Sequence, residues 1–396
     1  MTLPAAMPAA TATPIRVGVA GSRGYGRVHL ERLGRLMAGG AVELVGVADP
    51  AGRSEFVPQG VPWFGTLGAL LAVHACDLVI VSTPIHTHEP LAEQAMRAGA
   101  HVYLEKPPVA SLPAFQHLLD VAAETGRVCQ VGFQSIGSSA LGRIAELVDA
   151  GALGTVRIVS GTAAWKRDKA YFDRSDWAGR RRFGDVVVAD GVATNALAHS
   201  VAQALRVVGT TRLDQVVSVT TELYKANVDN ESDDTTFVRV DSDGAVPVSC
   251  ALTLCDGIGA EPPKVDVIGD RGRVSLSYTL DVLDLDLDGR QSRETFDRVD
   301  LVENLLDHLR DPGVDLLNPL ADNGAYMAVL QAIQDAPEPT PILEQVEWVG
   351  TGPQAHVVVA QVADWVRQAA DTGTGFAAVG APWASPAARV RWSPEG

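Results

Sequence analysis

One short stretch constrains this chain more than any other. The β-branched run Ile15–Ala20 leads directly into Gly21-Ser22-Arg23-Gly24-Tyr25-Gly26, and the glycines lead into a helical pattern over residues 24–37. Gly39-Gly40 then turns the chain into a second apolar run, Val42–Ala48, which is followed by Asp49. Strand, glycine loop, helix, strand and terminal acid, in that order, predict a βαβ unit that cradles a dinucleotide. Glycines suit the loop because the turn is tight and a pyrophosphate must approach the backbone, while the first helical turn offers N–H groups and partial positive charge. The usual spacing is Gly-x-Gly-x-x-Gly; here Arg23 holds the second glycine's place and Gly24 comes one position later. Asp49 is placed to accept hydrogen bonds from the adenosine ribose. That favours NAD, because a carboxylate repels a 2′-phosphate, and Arg53 keeps NADP open.

The same alternation continues. Strands are expected over residues 77–82, 101–105 and 128–132, with helices over 89–98 and 112–125, each closed by a glycine, Gly99 or Gly126, where a left-handed cap belongs. After about Phe133 the texture changes to longer runs separated by turns: residues 216–224, 235–240, 246–254, 265–268 and 273–278 predict a largely antiparallel sheet. Helices are expected at 141–149, 301–309, 321–333 and 356–369. The chain therefore divides into a lead of residues 1–13, expected to be disordered, a doubly wound parallel-sheet domain over 14–134, and a second α/β domain over 135–396 with a large open sheet.

Charge and composition narrow the function. A formal net charge of -16 opposes binding to a phosphate backbone or an anionic lipid surface. No apolar run approaches the roughly 20 residues that span a bilayer. A cytoplasmic protein without nucleic-acid or membrane partners is expected. Cys76, Cys129, Cys250 and Cys255 lack zinc or redox spacing and read as buried thiols. Asp284-Leu285-Asp286-Leu287-Asp288-Gly289 imitates the start of a calcium loop, but Thr295 stands where a bidentate glutamate belongs, so alternating Asp and Leu reads as a strand with one wet face. No metal is expected, from this segment or from His86-x-His88.

Chemistry is expected where the first domain's strands end, because ligands of open parallel sheets bind at their carboxyl ends. One such end runs into Thr83-Pro84-Ile85-His86-Thr87-His88, and the next into Glu105-Lys106-Pro107-Pro108. Together with the glycine loop, the segment Gly99-Ala100-His101-Val102-Tyr103-Leu104-Glu105-Lys106-Pro107, then Val131-Gly132-Phe133-Gln134, and His199 ahead of Val207-Val208-Gly209, these residues resemble the Gfo/Idh/MocA oxidoreductases over nearly the whole chain. The resemblance implies a Rossmann domain followed by an α/β domain whose open sheet walls the active site and often joins subunits, so a homo-oligomer, dimer or tetramer, through that sheet is expected. It implies that Lys106 touches substrate together with a helix histidine, His199, and that Thr83, Pro84, His88, Glu105, Lys106 and Gln134 join Gly21, Ser22, Arg23, Gly24, Tyr25, Gly26, Asp49 and Arg53 around the cofactor.

Family members commonly place an aspartate one turn before the histidine; this chain has Asn195 there, expected on the same helix face. Histidine titrates near neutrality, so His199 is assigned as the general base in oxidation with Lys106 polarising the oxygen, and the reverse division stays open. Asn195 can hydrogen-bond substrate but cannot carry a proton. Trp165, Lys166, Tyr171 and Arg180 offer aromatic faces and cationic donors suited to a sugar ring. The expected activity is hydride transfer between NAD, or NADP, and a hydroxyl-bearing carbon of a sugar, sugar acid or cyclitol. Two other uses stay open: lyase or glycosidase chemistry in which bound NAD is regenerated, and a non-catalytic dinucleotide-binding regulator.

Overall fold

The computed structural model describes residues 13–259 and 261–394. The expected disordered lead lies outside these residues apart from Thr13. Two compact units emerge, Met1–Glu105 with Val121–Cys129, and Lys106–Asp120 with Gln130–Gly396.

Along the first part of the chain run β1 (Ile15–Ala20), α1 (Tyr25–Ala38), β2 (Val42–Ala48), β3 (Trp63–Phe64), α2 (Leu67–Val73), β4 (Leu78–Val81), α3 (His88–Arg97), β5 (His101–Leu104), α4 (Leu112–Thr125) and β6 (Cys129–Val131). The strands form one sheet in the order β3-β2-β1-β4-β5-β6. β1 pairs with β2 and β4, β2 with β3, and β4 with β5, always parallel. β4 reads Leu-Val-Ile-Val and is buried at every position, the run expected of a strand covered on both faces. Strand order reverses between β1 and β4, so their carboxyl ends splay and leave a crevice beside the glycine loop. Gly99 and Gly126 end their helices at φ of 91° and 62°, the left-handed conformation that glycine adopts without strain.

The second part contains α5 (Ala140–Asp149), β7 (Val156–Ala164), α6 (Lys169–Phe172), β8 (Arg182–Phe183), β9 (Val186–Val187) and α7 (Ala198–Val207). There follow β10 (Val216–Lys225), β11 (Thr235–Ser242), β12 (Val248–Thr253), β13 (Lys264–Gly269), β14 (Gly272–Ser277), β15 (Val282–Leu287) and β16 (Arg290–Thr295). The chain closes with α8 (Leu301–Arg310), α9 (Gly324–Asp335), β17 (Thr340–Pro341), β18 (Val346–Val349), β19 (His356–Val359), α10 (Val362–Thr372) and β20 (Arg389–Trp392). Its large sheet runs β16-β15-β14-β13-β7-β12-β11-β10-β17, with β20 also pairing β10. The β7–β12 and β10–β17 pairs are parallel and the rest antiparallel, so the sheet is mixed and largely antiparallel. The Asp/Leu alternation is strand β15, with Leu283 and Leu285 buried and Asp284 paired to Arg293 on β16 at 2.5 Å. Asp288 and Gly289, at φ of 49° and 76°, make the two-residue turn between these strands.

Helices lie on both sides of the middle of this sheet. A Cβ on Gly161 of β7 would meet Cys250 Sγ at 2.8 Å and Ser200 O of α7 at 3.2 Å, so this face is packed tightly under α7. The neighbouring Ser249, which points to the opposite face, donates to Ala370 O of α10 at 2.6 Å. The expected helix over residues 356–369 is corrected here. Residues 356–359 form β19, paired with β18, and Gln361, at φ 57°, turns the chain before α10 begins. Val357-Val358-Val359 is a β-branched run, better suited to a strand than to a helix's first turn.

The segment from Thr340 onward covers the sheet over β10–β12. Phe376 and Trp383, with ring centroids 5.0 Å apart, pack on Tyr224 and Phe237 in a buried cluster joined by Ile342, Val359, Val362 and Val366. Buried Glu222 accepts from the backbone N–H groups of Phe376 at 2.9 Å and Ala377 at 3.2 Å. The sheet expected to join subunits is thus covered by its own chain over β10–β12. Among the described residues, no helix is long and apolar enough to cross a membrane. All four cysteines are free and buried, as expected.

Candidate active site

The glycine loop shows why its residues must be small. A Cβ on Gly21 would stand 2.0 Å from Ser82 O, and one on Gly26 would stand 2.3 Å from Gly21 O. Gly24 has φ 55° and ψ -123°, a backbone state closed to other residues, and α1 begins beside it without a side-chain cap, the helix end that stabilises an anion. Asp49 sits at the edge of this cradle, where its Oδ2 accepts from Ser22 N at 3.0 Å and Ser22 Oγ at 2.5 Å and pairs with Arg23 at 2.8 Å. Burial pushes the Asp49 carboxyl up, but hydrogen bonds from Ser22 and Ala51 and the Arg23 charge outweigh it and hold the group below the usual carboxylate range. Arg53 donates to the carbonyls of Val61 at 2.7 Å and Pro58 at 2.8 Å, so Arg23, and not Arg53, is the cation beside Asp49. These residues fit a dinucleotide: a glycine turn with no room for a Cβ, a bare helix start and a buried acid one strand away.

Several residues expected at the cofactor hold neighbouring groups in place. His88 is buried, and its Nε2 donates to Thr83 O at 2.9 Å, while Thr87 Oγ1 meets Thr83 Oγ1 and Pro84 O at 2.7 Å each. Together they fix the Thr83-Pro84 corner after β4. Glu105 is buried, with Oε1 2.9 Å from His29 Nε2, and Arg32 Nη1 lies 2.8 Å from His29 Nδ1. Arginine can only donate, so Nδ1 accepts, the ring proton sits on Nε2, and His29 donates to Glu105. Tyr25 packs its ring edge on the same histidine at 5.4 Å and is 45% exposed.

Lys106 follows Glu105 directly, and the Lys106-Pro107 peptide is cis. Its Nζ donates to Asn195 O at 2.9 Å and to Asn195 Oδ1 at 3.0 Å. Asn195 belongs to a single π-helical turn, Val192–Ala196, and α7 begins only at Ala198. The expected four-residue spacing to His199 on one continuous α-helix is therefore corrected. His199 Nδ1 lies 3.1 Å from Ser135 Oγ, in the short turn opened by Gln134. Phe133 meets the imidazole edge-on at 5.4 Å, and Tyr278 stacks on it at 6.4 Å. Burial first, then the charges of Lys106 and Arg298, push His199 down to about 3. The expectation that it titrates near neutrality is thus overturned: its imidazole is neutral throughout the working pH range.

The aromatic segment joins this group through residues that spacing did not single out. Asn195 Nδ2 donates to Asp190 Oδ1, whose carboxylate also accepts from Arg174 Nη2 at 2.9 Å (Oδ1) and 2.7 Å (Oδ2) and from Gly179 N at 2.7 Å. The Arg174 guanidinium lies 4.0 Å over the Tyr171 ring and 4.9 Å over Trp177, and Arg167 stacks on Trp165 at 4.7 Å and on Tyr171 at 4.9 Å. Lys166 is exposed, and Arg180 pairs with Glu231 at 3.2 Å beside a cavity of about 340 Å³ whose lining includes neither Lys106 nor His199. Arg181 uses its guanidinium on the last carbonyls of α9, Ile333, Gln334 and Ala336, each at 2.7 Å. Of the residues expected at the substrate, then, Lys106, Asn195 and His199 converge and Tyr171 is tied to them, whereas Lys166 and Arg180 stand apart. Sequence reasoning did not single out Asp190 or Ser135; an acid five positions from an asparagine has no helical periodicity to flag it.

A parallel dinucleotide fold, a lysine just after its strand β5, and a mixed open sheet whose packed helix α7 carries a histidine define a class of nicotinamide-binding proteins. Residues 15–133 match the model of the oxidoreductase family with an NAD-binding Rossmann fold, and residues 142–275 match the GFO/IDH/MocA C-terminal domain. The chain belongs to the Gfo/Idh/MocA family. A dTDP-3,4-didehydro-2,6-dideoxy-alpha-D-glucose 3-reductase from Streptomyces violaceoruber is 41% identical over 92 residues, 23% of this chain and 27% of that protein. A scyllo-inositol 2-dehydrogenase (NAD(+)) from Bacillus subtilis is 31% identical over 144 residues, 35% of this chain and 42% of its own. The chain thus matches less than half the length of these relatives. The fold is shared with the WlbA dehydrogenase from Bordetella pertussis in complex with NADH and UDP-GlcNAcA, at TM-score 0.67 and 21% identity over 81% of this chain and 95% of that one. It is also shared with an inositol dehydrogenase homolog from Azotobacter vinelandii complexed with NADH and myo-inositol, at TM-score 0.66 and 18% identity over 81% and 94%.

Proposed function

We propose that this chain is an NAD-dependent dehydrogenase that oxidises a hydroxyl-bearing carbon of a sugar, sugar acid or cyclitol. The observation that carries the proposal is the pairing, within one unit, of the Lys106 amine fixed on Asn195 with an imidazole, His199, that feels its charge. The named relatives, which act on a deoxysugar nucleotide and on an inositol, support the substrate class. Gly21, Gly24, Gly26 and the start of α1 hold the pyrophosphate, and Asp49 takes the ribose, which favours NAD over NADP. When bound, the nicotinamide supplies the hydride acceptor.

The chain's own residues handle the proton and the charge. His199, held neutral, is ready to take a proton from the substrate hydroxyl, and Lys106, cationic as lysines ordinarily are, steadies the alkoxide that develops. Tyr171, Trp165 and Trp177 offer ring faces to the substrate's C–H groups. Self-association through the second sheet, as dimer or tetramer, is assigned to its β13–β16 half, because β10–β12 is covered in cis. A cytoplasmic location completes the proposal.

A panel of sugars, sugar acids and inositols with NAD and NADP, followed by the absorbance of reduced nicotinamide, tests this reading. Net NADH is expected with at least one compound, and Lys106→Met is expected to lower turnover by about 10³-fold with NADH affinity unchanged. Wild-type turnover retained in that variant, or sugar cleavage without net NADH, refutes the assignment.

A further inference from the structure

We propose that Asp190 is a positioning residue for Lys106, acting through the Asn195 amide, and that the same carboxylate ties the amine to the aromatic substrate segment. The inference rests on the reading above where it names Lys106 as catalytic; the placement itself rests on geometry. A carboxylate only accepts hydrogen bonds, so the Asn195 edge that faces Asp190 must be Nδ2 and the edge that faces Lys106 must be Oδ1. Asp190 thereby fixes which end of a nearly symmetric amide the lysine meets. Turned the other way, Nδ2 would face the donors of the Lys106 amine and the contact would become repulsive. Asp190 has a side chain only 2% exposed, so its negative charge is weakly screened and reaches the amine through the polarised amide.

The other side of Asp190 clamps the segment that offers Tyr171 and Trp177. Its two oxygens take Arg174, whose guanidinium is the slab under both rings, and it also accepts from Gly179 N. One buried carboxylate therefore holds the ring platform and, through Asn195, the reacting amine, and a shift of the platform on substrate binding reaches Lys106 through the Arg174–Asp190 pair and two further hydrogen bonds.

The chain contains five lysines, Lys106, Lys166, Lys169, Lys225 and Lys264, so trace acetylation with acetic anhydride, read by peptide mass spectrometry, resolves each amine without any turnover. Asp190→Asn is expected to raise the Lys106 labelling rate relative to Lys264 at pH 8 by about fivefold, because the buried negative charge that favours the ammonium is lost while the Asn195 acceptors remain. Arg174→Met keeps the carboxylate and is expected to leave that ratio within about twofold of wild type. The exchange variant Asp190→Asn/Asn195→Asp, which returns a carboxylate to the lysine, is expected to restore the low ratio. In turnover assays Asp190→Asn is expected to lower kcat, and Arg174→Met to raise KM. An unchanged Lys106 ratio in Asp190→Asn, or an equal rise in Arg174→Met, overturns the proposal. Expected labelling ratios without turnover on any tested compound would sink the dehydrogenase reading and leave this placement standing.

Discussion

The depressed histidine makes the sharpest test of the site, because its consequence can be measured on the folded protein before a substrate is found. Burial, the Lys106 ammonium and the Arg298 guanidinium all disfavour the imidazolium of His199, and the group falls from 6.5 to about 3. Between those two values the unfolded chain binds a proton at this position that the folded chain refuses. Stability is therefore unaffected by this group above pH 6.5 and declines as pH falls from there toward 3, by about 1.4 kcal/mol per pH unit. Urea unfolding at pH 7 and pH 5 should show wild type losing about 2 kcal/mol more than His199→Gln over that interval. The imidazole C2 proton resonance that vanishes in His199→Gln should hold its shift from pH 8 down to 5. Once a substrate is known, kcat/KM for oxidation should change less than about twofold over the same range, where an unperturbed histidine base would lose about 30-fold. A resonance titrating near 6.5, with equal acid sensitivity in wild type and variant, refutes the reasoning.

Gly26→Ala should weaken NADH binding by more than about 100-fold, read by quenching of intrinsic fluorescence, since its Cβ would stand 2.3 Å from Gly21 O and push the loop off its path; near-native affinity would show that the loop gives way. Asp49→Asn removes the carboxylate that Arg23 pairs with, and should narrow the preference for NADH over NADPH by about tenfold in binding titrations; an unchanged ratio would place the 2′-position elsewhere. Phe376→Ala empties a fully buried site between Tyr224 and Trp383 and should cost about 3–5 kcal/mol in urea unfolding, a loss below 1 kcal/mol showing that the C-terminal segment contributes little to the fold.

What the sequence made legible follows from which forces are local. The glycine loop could be read because tight turns and close backbone approach admit few residue types, and the parallel strands because burial on both faces writes unbroken apolar runs such as Leu78–Val81. Residues 356–369 read as one helix because Val357 and Val359 have apolar neighbours at both strand and helix spacing; the partner strand Val346–Val349, which periodicity does not report, makes 356–359 a strand. Glu105 follows β5 and His88 opens α3, but position does not say whether a side chain faces a ligand or a neighbouring group, and both are buried against their own chain.

Asn195 shows the same limit at the reacting centre and also how a site survives it. The family resemblance implies a carboxylate one turn before His199, and this chain has Asn195 there. The chain between Gly191 and Leu197 is wound more widely than an α-helix, with Leu197 N bonded back to Val192 O at 2.7 Å, five residues away. Asp190 lies just ahead of this turn, before the extended Gly191, and its carboxylate accepts from Asn195 Nδ2, one hydrogen bond further from the lysine. Moving it back lets it hold Arg174 as well, an ion pair that a carboxylate in direct contact with Lys106 would have to share with the amine. The electrostatic requirement at Lys106, a nearby buried negative charge with a fixed acceptor, is met without an acid at position 195, and the substitution changes what the charge is connected to more than whether it is there.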